Sequence, residues 1–115
     1  MHEISIAANI IEIVEDTVYE NSADKVTLIE IEIGEMSGVM IDSLKLALEI
    51  SVKGTLMENT EIKIFNINGE TQCNQCGNIF PINDLYTPCP LCDSYDNKII
   101  KGNELKIKSI TLEAD

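Results

Sequence analysis

The chain has 115 residues, a formal net charge of −12 and a sequence pI of about 4.3. That length holds one modest core, or a core with a small appendage. Eight Lys and Arg against twenty Asp and Glu exclude a nucleic-acid binder, which needs clustered cations to neutralise phosphates. No apolar run is long enough to span a membrane, and Glu3, Glu12, Glu15 and Asp16 replace the basic start of a signal peptide. The expectation is a soluble cytoplasmic protein whose four cysteines stay reduced.

In chain order, residues 4–19 read as a helix. Ile4, Ala7, Ala8, Ile11, Val14 and Val18 recur at helical spacing, and Ile6, Ile10 and Ile13 widen the stripe toward a sheet. The segment "ENSADK" is a loop. "VTLIEIEIG" alternates Thr27, Ile29, Ile31 and Ile33 with Glu30 and Glu32, the pattern of a strand with one buried face. After the Gly34–Gly38 connector, Asp42 or Ser43 is the expected cap of a second helix carrying Leu44, Ala47, Leu48 and Val52, ended by Gly54. "TEIKIFNI" is a further strand.

From about Gly69 to Gly102 periodicity disappears and Cys, Pro, Asn and Gly dominate. "NELKIKSITLEA" then returns to strand character. Its apolar phase slips between Leu105/Ile107 and Ile110/Leu112, which predicts a bulge near Lys108 and Ser109. This closing strand most simply pairs back into the first sheet. The expected architecture is α+β: a small mixed sheet with two helices, residues 1–68 and 103–115, and an inserted four-cysteine unit, residues 69–102.

Cys73 and Cys76 form one C-x2-C pair and Cys89 and Cys92 another. Two such turns face four thiolates onto one ion, a closed cage that suits structural Zn(II). Gly77 follows the first pair, and Asp93, which enters the left-handed region more readily than most residues, follows the second. Few large apolar residues surround them (Ile79, Phe80, Ile82, Leu85, Tyr86, Leu91), so metal replaces a missing core. Disulfides do not suit a reducing compartment. Iron of the rubredoxin type is chemically allowed by the same thiolates, although the aromatic residues that shield such a centre are sparse.

His2 is the only histidine. Its bulk is expected to preserve Met1 with a free α-amine. That amine, the backbone nitrogen of His2 and its Nδ1 form fused chelate rings that suit Cu(II) or Ni(II), both of which favour square-planar nitrogen sets. The fourth corner is left to the backbone nitrogen or carboxylate of Glu3, to a partner's group or to water. Amides at a helix start lack internal partners, so the chelate disturbs little secondary structure.

"MHEIS", "IGEMSGV", the C-x2-C…C-P-x-C spacing and "GNELKIKSITLE" together resemble the HypA/HybF family of hydrogenase nickel-incorporation proteins over essentially the whole chain. The resemblance implies a nickel metallochaperone with Met1, His2 and Glu3 at the Ni(II) site. It also implies Zn(II) on Cys73, Cys76, Cys89 and Cys92, and delivery to the large subunit of a [NiFe] hydrogenase together with the maturation GTPase HypB. Asp93 departs from the glycine the family often has, and no second histidine is present to join the nickel site.

Catalysis is not expected: the sole imidazole is terminal and the thiols are committed to a cage, so no nucleophile–base set can form. The other readings are a rubredoxin-like electron carrier and a zinc ribbon that only binds protein. The hinge strands flanking the cysteine segment allow either a monomer or a domain-swapped dimer.

Overall fold

The computed structural model describes residues 3–82, 84 and 86–114. The Met1 and His2 expectations, and the Leu85 contribution to the cysteine unit, therefore lie outside the described residues. Among the described residues the order is α1 (Glu3–Glu20), β1 (Lys25–Gly34), α2 (Ile41–Ser51), β2 (Glu61–Ile67), β3 (Glu70–Cys73), β4 (Ile79–Pro81), β5 (Asn97–Lys101) and β6 (Leu105–Glu113). They form two three-stranded sheets, ordered β2-β1-β6 and β4-β3-β5.

β1 is the central strand of the first sheet, and its sequence shows why. Ile29, Ile31 and Ile33 are almost wholly buried, packed with Ile10, Val14, Leu44 and Leu48 from the two helices. Each such side chain contributes roughly 1.5–3 kcal/mol of apolar transfer. β2 lies parallel to β1, the direction a helical crossover such as α2 allows. β6 runs antiparallel on the other side. Register fixes the expected irregularity: Glu30 faces Ser109 but Ile31 faces Ile107, so Lys108 is the extra residue of a bulge. Its Nζ lies 5.0 Å from the centroid of the Phe65 ring, a cation–π contact across the outer face.

Three details of the sequence reading change. The buried face of α1 is Ile6, Ala7, Ile10, Ile11, Val14 and Val18. Ile4 is 72% exposed, and Ala8 also faces outward. The stripe is thus centred between the two expected sets. In β1 a second register shift between Val26 and Leu28 buries Val26 and leaves Thr27 half-buried. The cap of α2 is neither Asp42 nor Ser43 but Met40, in an extended conformation with no side-chain bond. Its own N–H donates to Glu3 Oε2 at 3.3 Å.

The cysteine segment is also more regular than its composition suggests. β3, β4 and β5 form an antiparallel sheet, and their lengths of three to five residues are too short to show alternation. Their small core is Cys73, Phe80, Ile82 and Cys89, with Met36 and Ile99 packed against it.

Candidate metal centre

Two turns of nearly identical construction carry the cysteines. In the first, the Gly77 N–H donates to the Cys73 carbonyl at 2.9 Å, and the Cys73 N–H to the Asn78 carbonyl at 2.9 Å. In the second, Asp93 N–H donates to the Cys89 carbonyl at 2.8 Å and Cys89 N–H to the Ser94 carbonyl at 2.9 Å. Gly77 has φ +79° and Asp93 φ +61°, so both fifth positions take the left-handed conformation the sequence expects of them. Asp there is tolerated because its short polar side chain lowers the usual steric cost.

The folding of β3 against β5 brings these turns face to face. All four sulfurs lie within 4.8 Å of one another. Cys73 Sγ is 3.5 Å from Cys92 Sγ, and Cys76 Sγ is 3.6 Å from Cys89 Sγ. A disulfide needs about 2.05 Å; four thiolates at about 2.3 Å from a central zinc stand about 3.8 Å apart. The spacing therefore fits a tetrahedral ion and not a pair of S–S bonds. Cys73 and Cys89 are buried while Cys76 and Cys92 are exposed, so one thiol of each turn anchors the site in the small core.

N–H groups aim at the anchoring sulfurs. Gln75 and Cys76 donate to Cys73 Sγ at 3.3 and 3.5 Å, and Asn78 Nδ2 to Cys89 Sγ at 3.8 Å. At Cys73 the Cys76 N–H is the largest influence and holds the thiol low against burial. At Cys89 burial pushes upward, but N–H groups of Leu91 and Cys92 and the neighbouring thiols outweigh it and bring the thiol to about 6. The opposite thiols bear the repulsion. Cys92 is pulled down by the Ser94 N–H, yet the Cys73 thiol, burial and the Cys89 and Cys76 thiols carry it up to about 12. At Cys76 the Asn78 N–H lowers the thiol, but burial and the Cys89 and Cys73 thiols raise it overall. Four thiolates this close ionise together only around a cation.

Asn78 escapes the sequence reading although it both closes the first turn and donates to sulfur. Its signal is its position just after Gly77. Asp96, whose carboxylate accepts from Asn74 Nδ2 at 3.0 Å and Gln75 Nε2 at 3.3 Å, has no such signal. Of the expected nickel residues, only Glu3 is described. Its carboxylate is turned to the start of α2, well away in sequence from the cysteines.

A helix-covered mixed sheet joined to a four-thiolate double turn defines a metal-handling protein. The family described as "Hydrogenase/urease nickel incorporation, metallochaperone, hypA" matches residues 1–112. The chain is 46% identical over 115 residues to the hydrogenase maturation factor HypA of Parabacteroides distasonis, covering all of both chains. It is 43% identical over 113 residues to that of Prosthecochloris aestuarii, covering 98% of this chain and all of the relative. The solution structure of the Ni metallochaperone HypA from Helicobacter pylori superposes with a TM-score of 0.70 at 27% identity, covering both chains in full. A second HypA solution structure gives 0.75 at 27% identity, covering all of this chain and 98% of that one. The chain belongs to the HypA family of nickel-incorporation metallochaperones.

Proposed function

We propose that this protein binds Ni(II) at its N-terminus and hands it to the large subunit of a [NiFe] hydrogenase during maturation, working with the GTPase HypB and catalysing no reaction itself. The observation that carries this reading is the family match over residues 1–112 on a chain whose only histidine is its second residue. Ni(II) is the cargo. The Met1 amine, the His2 amide nitrogen and imidazole, and a group of Glu3 hold it in a square plane. Such a set on few residues favours loading and release over storage.

Cys73, Cys76, Cys89 and Cys92 would hold a structural Zn(II), which the sulfur spacing fits. When bound, the ion supplies the net attraction that lets four thiols ionise together, and so stabilises a segment with a small apolar core. Residues 69–102 then form a separate unit carried by the 1–68/103–115 unit, in a monomer or a domain-swapped dimer of the cytoplasm. The deciding experiment is metal analysis with nickel titration of native-terminus protein. Wild type should bind zinc and nickel; His2→Ala should keep zinc and lose nickel. Nickel binding retained by His2→Ala overturns the terminal chelate.

A further inference from the structure

The two sheets meet at a contact the metal chemistry does not use. After β1 the chain turns through residues 35–40, and Met36 packs on the cluster of Cys73, Phe80, Ile82 and Cys89 in the second sheet. Its backbone N–H donates to the Gly102 carbonyl at 2.7 Å. Beneath it three segments cross with no room for a side chain. A Cβ on Gly34 would collide with the Gly102 carbonyl, one on Gly69 would lie 2.6 Å from the Ile82 carbonyl oxygen, and one on Gly102 2.7 Å from Gly69 Cα. Met36 Cγ covers the crossing, 3.1 and 3.2 Å from the Cβ positions of Gly69 and Gly102. Two carboxylates brace it: Glu35 Oε1 accepts from the Gly69 N–H at 2.8 Å, and Glu104 Oε1 from the Gly102 N–H at 2.7 Å.

The same connector ends at Met40, whose N–H donates to Glu3 Oε2. One short piece of chain therefore touches the cysteine-bearing sheet at one end and the first turn of α1 at the other. Chain continuity links the sheets only through residues 68–69 and 102–104, and such linkers alone leave two packed bodies free to pivot. An unbranched thioether that fills irregular space, seated on these closely crossing glycines, stands where it can restrict that freedom alongside the bracing hydrogen bonds.

We propose that Met36 is a positioning residue: it latches the cysteine-bearing sheet in one orientation on the helix-covered sheet and, through Met40, fixes the start of α1 in the same frame. The functional meaning of the second step rests on the terminal nickel chelate proposed above; the latch itself does not. The test uses zinc-loaded, full-length protein with its native terminus and compares wild type with Met36→Ala, Met36→Gln and Met36→Leu. Amide residual dipolar couplings report orientation, zinc content reports the integrity of the cysteine turns, and a nickel titration reports the terminus.

Wild type and Met36→Leu should fit one alignment tensor across both sheets. Met36→Ala and the polar isostere Met36→Gln should keep their zinc and the internal couplings of each sheet. They should lose the common tensor, and their nickel affinity should fall about tenfold or more, as for loss of a ligand-orienting contact. Wild type that needs two tensors overturns the latch, as does a common tensor retained by both loosened variants. Loss of the tensor with unchanged nickel affinity overturns the step to Glu3. Nickel bound by wild type away from His2 overturns the terminal reading, and the couplings still decide the latch.

Discussion

Cys73 and Cys92, nineteen residues apart in sequence, place their sulfurs 3.5 Å from each other, one thiol from each turn. At that distance two thiolates repel unless a cation lies between the turns. With Cys92 raised to about 12 and Cys76 also raised, both are protonated in the metal-free chain at neutral pH. Zinc uptake at pH 7 should therefore release at least these two protons per ion, measured by titration in buffers of different ionisation enthalpy. Uptake without proton release would contradict a four-thiolate site.

Acid should act in the opposite sense at Cys89. Its thiol is depressed from 9.0 to about 6, so the folded metal-free chain favours the thiolate. That stabilisation is complete above pH 9 and fades as pH falls through about 6. The cysteine segment should accordingly lose protection in amide exchange as the metal-free protein is taken from pH 7 to pH 5. Chelation at pH 7 should produce a larger loss confined to residues 70–101, with the β1 amides still protected.

In the proposed terminal chelate, the roles of His2 and of the Met1 amine can be separated by one extra residue. A protein carrying a single residue before Met1 keeps the imidazole but moves the amine out of chelating position. Its nickel affinity should fall nearly as far as that of His2→Ala, read by competition with a coloured chelator. An extended chain that binds like wild type would remove the amine from the ligand set.

Ile29 is fully buried in the middle of the central strand. Ile29→Ala should cost about 2–5 kcal/mol of unfolding free energy, measured by urea denaturation with zinc present. The four-sulfur site lies in the other sheet, so zinc stoichiometry should not change below the transition.

Most of this molecule is legible in its residues, and the exceptions share a cause. The isoleucine alternation of β1, the Lys108 bulge and the left-handed turns at Gly77 and Asp93 are local consequences of side-chain period or backbone sterics. They stand in the structure where the sequence places them. The Met40 cap of α2 is not local, because the group that meets its N–H is Glu3, 37 residues earlier. The seat of Met36 likewise depends on segments brought together only by both sheets. β3, β4 and β5 hide for another reason: their strands are too short for a period, and hydrogen bonds at the cysteine turns set their ends.

The pairing of β6 with β1 carries a kinetic consequence. The first sheet is completed by a strand that arrives only after the chain has passed through β3, β4 and β5. Before the cysteine turns form, that pairing must close a long flexible loop, and the entropy of closure slows it. An ion gathering both turns, which lie inside that loop, shortens its effective length and with it the search. Metal supplied during refolding should then accelerate the final docking of the last strand, which belongs to the other sheet.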